Sequence, residues 1–331
     1  MVNFASPNVT IGTESWPIAG TFTISRGSKT EARVVVATLS DGPLRGRGEC
    51  VPYPRYGETP EGVAAVLRTM AGAVAAGLDR AGLQAAMPPG AARNALDCAF
   101  WDLEAKRTGR PAHELLGLPS PRPLVTAYTI SLGTPDAMAD AAGRAASRPL
   151  LKVKLGGAGD PERIAAVRVA APKSELIVDA NEAWEPGNVQ ANLRACAEAG
   201  VTLVEQPLRA GQDAMLGDIT RPIMVCADES VHDRASLADL VGRYDAVNIK
   251  LDKTGGLTEA LTMAAEAERL GFALMVGCMV GTSLGMAPAM LLAQKARVVD
   301  LDGPLLLARD RPDGLHYDGS LVHPATPALW G

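Results

Sequence analysis

The chain reads as a (β/α)8-type barrel, modified and with (β/α)7β as its nearest variant, preceded by an N-terminal α+β capping domain. Three observations predict this. From about residue 122 onward, eight short apolar runs alternate with helical patterns. Charged residues close one run after another at regular spacing. The first 120 or so residues carry a different pattern, strands followed by helices.

In that first part "TFTIS" and "EARVVVATL" read as antiparallel strands, and "TPEGVAAVLRTMAGAVAAGL" and "GAARNALDCAFWDLEAKRTG" as amphipathic helices. They define a capping domain over 1–121. The barrel domain, 122–303, takes its strands from "LVTAYTI" (124–130), "LLKVKL" (150–155), "ELIVDA" (175–180), "VTLVEQ" (201–206), "PIMVCAD" (222–228), "DAVNIKL" (245–251), "FALMVG" (272–277) and "RVVDLD" (297–302). Thr134-Pro135 and Asp160-Pro161 each place a capping residue before a proline at the first helical position. Every strand is therefore expected to be followed by its helix, the last one irregular. An open doubly wound sheet is the alternative. After Asp302, "GLHYDGSLVHP" reads as a hairpin returning to the first domain, which about 304–331 would complete.

Composition narrows the function. With 331 residues, 47% hydrophobic and 21% charged, the chain is long enough for one large and one smaller domain. Net charge is −5 and no Lys/Arg-rich run occurs, so neither nucleic acid nor an anionic membrane is an expected partner; a small molecule is. The N-terminus lacks a basic segment followed by an apolar one, and no stretch of about 18 apolar residues occurs, which predicts a cytoplasmic protein. A homo-oligomer is compatible with the sequence, which does not fix the number of subunits. The five cysteines lack paired spacing and read as reduced core thiols.

The charges at the strand ends carry the chemistry. Lys154, Asp179, Glu205, Asp228 and Lys250 follow one another at about 22 to 26 residues, one βα unit each, so all gather at the barrel end where active sites form. Singly, such an acid is often a turn or helix cap, and "LLKVKLGG" alone could be an edge strand kept soluble by Lys152 and Lys154. Capping explains the whole series poorly, because burying unpaired charge is costly. Carboxylates from three neighbouring strands form an all-oxygen site suited to Mg²⁺. The four histidines fall at no strand end, which leaves little support for zinc or a Ser-His-Asp triad. Lysines flanking a cation from opposite sides are expected to have lowered pKa values and to act as bases. A metal with two such lysines can remove a proton α to a carboxylate through an enediolate and return one from the other face, inverting a stereocentre.

The segments "KVK", "VDAN", "VEQP", "ADES" and "NIKLDKTGGLTEA" resemble the enolase superfamily, in its muconate lactonizing enzyme-like branch, from about residue 10 to the end. The resemblance implies one Mg²⁺ per subunit held by Asp179, Glu205 and Asp228, with Asn181 and Glu229 behind them. It also implies Lys154 and Lys250 as the acid/base pair and Lys152 as the substrate carboxylate's partner. The histidine branch needs a base on the seventh strand, which here ends "VGCMVG".

Asp300 and Asp302, in "DLDGP", resemble the Asp-x-Asp with which dipeptide epimerases hold an α-ammonium; the plainer reading is turn-capping acids. Arg26 resembles the capping-loop arginine that reaches a glutamate carboxylate in L-Ala-D/L-Glu epimerases, or is a solvated surface charge. Tyr56, in "GECVPYPRYGET", resembles a second closing loop. Gly281 departs from the acid that many relatives carry there. The implied function is Mg²⁺-dependent epimerisation of dipeptides, L-Ala-D/L-Glu first, by 1,1-proton transfer at the α-carbon of the C-terminal residue, in a peptidoglycan-peptide setting. Alternatives are an o-succinylbenzoate synthase or cycloisomerase-type lyase of the same branch, or a barrel that binds without turnover.

Overall fold

The computed structural model describes residues 6–331. It opens with an antiparallel sheet of β1 (Asn8–Ile24), β2 (Gly27–Asp41) and β3 (Leu44–Cys50), in that order. The β1–β2 register breaks between Pro17 and Phe22, where a residue without an N–H interrupts the ladder. Sequence patterning missed β3, "LRGRGEC", because glycines replace the apolar alternation. Their reason is tertiary: a Cβ at Gly46 would overlap the Ala99 carbonyl oxygen, and one at Gly48 that of Ala95. Both carbonyls belong to α3 (Ala91–Thr108), which lies directly on β3.

Ahead of α3 come α1 (Pro60–Ala75) and α2 (Arg80–Ala86), a helix too short to show periodicity in the sequence. Thr59 and Asp79 cap them by accepting from the Gly62 and Gly82 amides. Val35, Leu39, Leu67, Leu83, Leu96 and Leu103 fill the core between these helices and the sheet. A short α4 (Ala112–Leu115) leads to β4 (Leu124–Val125).

Eight parallel strands follow: β5 (Tyr128–Ile130), β6 (Leu150–Lys154), β7 (Glu175–Asp179), β8 (Val201–Glu205), β9 (Met224–Ala227), β10 (Ala246–Ile249), β11 (Ala273–Gly277) and β12 (Val298–Asp300). They pair in sequence order. The ring is completed where the Ala127 amide donates to the Val299 carbonyl at 2.8 Å, so the open-sheet alternative falls. Inward positions repeat every second residue. Ala127, Leu150, Ile177, Leu203, Cys226, Ala246, Met275 and Val298 form one apolar layer, a floor with one residue from each strand or its approach. Two residues further along stand Thr129, Lys152, Asp179, Glu205, Asp228, Asn248, Gly277 and Asp300.

Five of the barrel strands have the expected long helix: α5 (Pro135–Arg144), α6 (Asp160–Ala170), α7 (Val189–Glu198), α9 (Leu257–Arg269), introduced by the single turn α8 (Leu251–Thr254), and α10 (Ser283–Ala293). The expectation of a helix after every strand fails for β8 and β9. Only 3₁₀ turns follow them, at Ala214–Gly217, Arg234–Ser236 and Ala238–Leu240. Glycine and proline interrupt the segment after β8, whereas the one after β9 carries only Gly242; Leu216, Leu237 and Leu240 cover the barrel wall without a full helix. After β12 the irregular last helix is the one-turn α11 (Gly303–Leu306).

The C-terminal hairpin, β13 (Tyr317–Asp318) and β14 (Leu321–Val322), pairs with β4 rather than with the first sheet. The residues after it do reach α3: Trp330 Nε1 donates to the Cys98 carbonyl at 3.0 Å, and the Gly331 amide to Asp102 Oδ1 at 2.8 Å. All five cysteines are free. No helix among the described residues is long and apolar enough to cross a membrane.

Because β3 touches α3 backbone to backbone, Gly48→Ala should destabilise the protein by about 3 kcal/mol or more, read as a fall in melting temperature. Gly72→Ala, on open helix surface, should stay near wild type or rise slightly. Equal melting temperatures for the two variants would overturn this account.

Candidate active site

The period-2 alternation that lays the apolar floor lifts a charged layer above it. In register, Lys154 lies beside Asp179 and Asp179 beside Glu205, across β6, β7 and β8. Asp228 directly follows β9, Lys250 follows β10, and Asp300 ends β12 beside Gly277 of β11. Gly277 has no room for a side chain, since a Cβ would come within 2.7 Å of Asn248 Oδ1. "LLKVKLGG" is thus no edge strand: β6 sits between β5 and β7, with Lys152 and Lys154 buried inside the ring and Leu151 and Val153 packed outside it.

Lys152 is the hub. Its Nζ lies 2.7 Å from Asp300 Oδ2, 2.6 Å from Glu205 Oε2 and 3.2 Å from Asp179 Oδ2. Lys154 Nζ donates to Asp179 Oδ2 at 2.6 Å, and Lys250 Nζ to Asp228 Oδ2 at 2.7 Å. β6 and β10 are four strands apart in a ring of eight, so Lys154 and Lys250 face each other across the mouth.

The electrostatics differ from the expectation of lysines with lowered pKa. Burial pushes the Lys152 ammonium down, but Asp300, Glu205 and Asp179 more than reverse it and hold it well above its ordinary value. Lys250 is raised in the same way, burial being outweighed by Asp228 and Glu205. The nearest neighbours of these lysines are carboxylates, not ammonium groups, and carboxylates favour the charged form. Among the acids, burial and the adjacent Asp179 push Glu205 up to about 7. Burial also opposes ionisation of Asp228, but Lys250 and Lys253 keep it well below the usual carboxylate range.

Asp179, Glu205 and Asp228 offer only hard oxygen donors, and Glu205 Oε2 is buried with no hydrogen-bond partner, its contact with Lys152 being an ion pair outside hydrogen-bonding geometry. In kind, that donor set fits a hard divalent cation. As they stand, no three His, Cys, Asp or Glu side chains among the described residues gather closely enough to hold an ion; lysine ammonium groups stand between the carboxylates. Behind them, the Asn181 amide donates to Asp179 Oδ1 at 2.9 Å, and Asn181 Nδ2 approaches Glu229 Oε1 at 3.5 Å.

Above the charged layer lies a cavity of about 750 Å³ under the capping domain, lined by Phe22, Arg26, Lys29 and Tyr56 from above and by Lys152, Lys154, Lys250, Asp300 and Asp302 from below. Asp300 Oδ1 is buried without a hydrogen-bond partner. Asp302 accepts from the Thr129 amide at 2.7 Å, and burial with the neighbouring Asp300 pushes it up to about 7. Tyr56 packs edge-on against His232, ring centroids 4.5 Å apart.

Arg26 borders the cavity, yet its hydrogen bonds go to the protein. It donates to Glu229 Oε1 at 2.6 Å, the Asn181 carbonyl at 2.9 Å, Tyr53 Oη at 3.1 Å and Glu182 Oε2 at 3.2 Å. Lys29 is different. Among the described residues it has no carboxylate within ion-pair distance, and burial with the nearby Lys154 lowers it to about 8. At Gly281 a Cβ would meet Glu49 Oε1 and Val51 Cγ2, each at 3.0 Å. Glu49 is itself buried and bound by the Thr282 amide and Arg311, so an acid at 281 would face another carboxylate.

Sequence reasoning overlooked three polar residues here. Asn248, whose Nδ2 donates to Glu205 Oε1 at 2.7 Å, shares the inward alternation of Ala246 and Lys250 and was open to the same logic. Lys253, one turn beyond Lys250, donates to Asp228 Oδ1 at 2.6 Å and to the Asn248 carbonyl at 2.9 Å; it lies off the strand, so no strand period signals it. Lys29, near the start of β2, lies outside the barrel strands whose repeat signals the other lysines.

Comparison with known proteins agrees with this geometry. Residues 137–313 match the enolase C-terminal domain-like family, and residues 6–117 the mandelate racemase / muconate lactonizing enzyme N-terminal domain. An L-Ala-D/L-Glu epimerase of Escherichia coli is 47% identical over 94% of this chain and 97% of its own length. An N-acetyl-D-glutamate racemase of a Pseudoalteromonas species is 45% identical over 90% and 95%. A crystal structure of an enolase family member from Agrobacterium tumefaciens, with bound sodium and L-Ala-L-Glu, superposes with a TM-score of 0.97 at 60% identity, covering 98% of this chain and all of that one. A dipeptide epimerase from Enterococcus faecalis in complex with Mg and L-Leu-L-Tyr superposes at 0.90 with 28% identity, over 98% of this chain and all of that one.

The contrast between paired and unpaired lysines is directly measurable. At pH 8, limited acetylation with acetic anhydride should modify Lys29 ahead of the ion-paired Lys152, Lys154 and Lys250, as read by peptide mass mapping. Labelling of Lys152 at the rate of Lys29 would contradict the assigned environments.

Proposed function

This chain belongs to the mandelate racemase / muconate lactonizing enzyme family within the enolase superfamily, and from that premise we propose that it is a dipeptide epimerase, inverting the α-carbon of the C-terminal residue of L-Ala-D/L-Glu. One observation carries the reading. Lys154 and Lys250 face each other across a single cavity whose third side presents Asp300 and Asp302.

Lysines on opposite sides of a bound α-carbon permit 1,1-proton transfer. One Nζ takes the proton as the Cα–H bond breaks, the electron pair passes into the substrate's own carboxylate, and the opposite Nζ returns a proton to the other face. Lys152, held charged between Asp300, Glu205 and Asp179, supplies fixed positive potential beside that carboxylate. Asp179, Glu205 and Asp228 would hold Mg²⁺. When bound, it would polarise the substrate carboxylate and take up negative charge that otherwise keeps Lys250 protonated. Asn181 and Glu229 support those carboxylates from behind.

Asp300 Oδ1, buried and without a partner, together with Asp302, offers acceptors for the dipeptide's α-ammonium. This favours a substrate with a free amine over the lyase reading, and over N-acylated glutamate, whose amide carries no charge. Lys29, the cavity cation without an anionic partner among the described residues, supports an acidic C-terminal side chain and takes the part first expected of Arg26. Tyr56 closes the cavity from the capping side.

The decisive assay follows α-proton exchange in D₂O with Mg²⁺. L-Ala-L-Glu should incorporate deuterium with inversion, and N-acetyl-L-glutamate should react at least about tenfold more slowly, the loss of one charge-assisted contact. Lys154→Ala or Lys250→Ala should abolish inversion. Absence of exchange across a panel of dipeptides would refute the proposal.

Acidity should bound the activity on both sides. Asp302 shares its surroundings with Asp300, Lys152, Cys278 and Tyr317. It must be ionised to hold the ammonium, so KM should rise as pH falls through about 7. Lys29, facing Lys154 and Cys278, loses its charge as pH rises through about 8, and KM for L-Ala-L-Glu should rise again. Lys29→Arg should remove the alkaline rise alone, and an unchanged alkaline limb would exclude Lys29 as the side-chain partner.

A further inference from the structure

Glu182 lies outside the cavity lining, one residue beyond Asn181, and its contacts join four separate segments of the chain. Arg55, in the 3₁₀ turn Pro54–Tyr56, grips it with both prongs: Nε donates to Oε2 at 2.9 Å and Nη2 to Oε1 at 2.8 Å. Arg26, from the turn between β1 and β2, adds Nη1 to Oε2 at 3.2 Å. The Ala210 amide, beyond β8, donates to Oε1 at 2.9 Å.

The Glu182 side chain is 8% exposed and Arg55 37%, so the pair is buried at the carboxylate and solvated at the guanidinium. The backbone is committed as well. Asn181 and Glu182 have φ of 44° and 66°, a left-handed conformation that non-glycine residues adopt at a cost of about 1–3 kcal/mol each. The Glu182 amide is fixed by the Gln206 carbonyl at 2.9 Å, while the Asn181 carbonyl receives Ser25 Oγ and Arg26 Nη1, each at 2.9 Å. Strain of this kind persists where surrounding contacts determine the conformation.

The two segments held are those that roof the cavity. The first carries Phe22, Ile24 and Lys29, and the second Tyr53 and Tyr56. We propose that Glu182 is a positioning residue, a latch that holds both capping segments against the barrel so that they enclose the substrate. Arg26 then serves chiefly as part of that latch. The inference rests on the reading of the cavity as the dipeptide site. Since Glu182 touches neither the lysines nor the cavity, its loss acts on substrate retention and leaves proton transfer in place.

The test combines a kinetic and a structural readout on the full chain with Mg²⁺. Glu182→Ala should raise KM for L-Ala-L-Glu about tenfold, the loss of a charge-assisted pair discounted for partial exposure, with kcat within about twofold of wild type. Limited trypsin digestion should cut after Arg26 and Arg55 several-fold faster in the variant. Arg55→Met, on a partly exposed side chain, should reproduce the change at Arg26, and combining it with Glu182→Gln should add little, because both remove one interaction. Wild-type KM with unchanged trypsin protection would overturn the latch, and so would a fall in kcat at unchanged KM. The digestion does not depend on turnover, so it judges the latch even if no dipeptide is epimerised.

Discussion

Everything at this barrel mouth depends on how one buried ammonium is shared. Lys152 stands within ion-pair reach of carboxylates from β7, β8 and β12. Burying such charges is expensive, and the expense is offset only when geometry is good and every partner is present; removing one partner of a buried set costs about 3–5 kcal/mol. The apolar floor beneath excludes water from below, and the capping domain limits it from above. Charge therefore has to be balanced by the side chains themselves.

That constraint explains the division of labour between the two domains. The barrel supplies fixed charge, because residues on neighbouring parallel strands hold register to within a hydrogen bond. The capping domain supplies shape and selectivity, because it meets the barrel through loops and turns. Glu49 of β3, gripped by the Thr282 amide and Arg311, ties the domains on one side, and Arg26 and Arg55 tie them on the other. Between these ties, Lys29 is left without a carboxylate partner among the described residues.

Much of this was legible along the chain, and the reasons can be traced residue by residue. A βα unit returns every 22 to 26 residues or so to the same end of the barrel, so Lys154, Asp179, Glu205, Asp228 and Lys250 announced a shared location through spacing. Asp300 and Asp302 did so through their alternation. Lys253 escaped because it sits on a helical turn beyond the strand, and Lys29 because it stands near the start of β2, outside the barrel strands whose spacing marked the others. The helices expected after β8 and β9 were inferred from the regularity of the other units; after β8 local glycine and proline content overrode it, and after β9 only 3₁₀ turns form. Strand β3 was hidden because its glycines answer to α3, a neighbour remote in sequence.

The sequence by itself determined the architecture and the inventory of chemistry. Alternation and repeat length are local properties, and they dictate which side chains enter the ring and at what height. Only the tertiary structure decided how the charges pair: that Lys152 is the hub, that Lys152 and Lys250 are held protonated by carboxylates, and that Arg26 is occupied while Lys29 is not. The physical reason is that pairing and pKa depend on distances of a few ångströms between residues far apart in the chain, 203 positions for Arg26 and Glu229. Those distances come into being only when the ring closes and the capping loops settle on it.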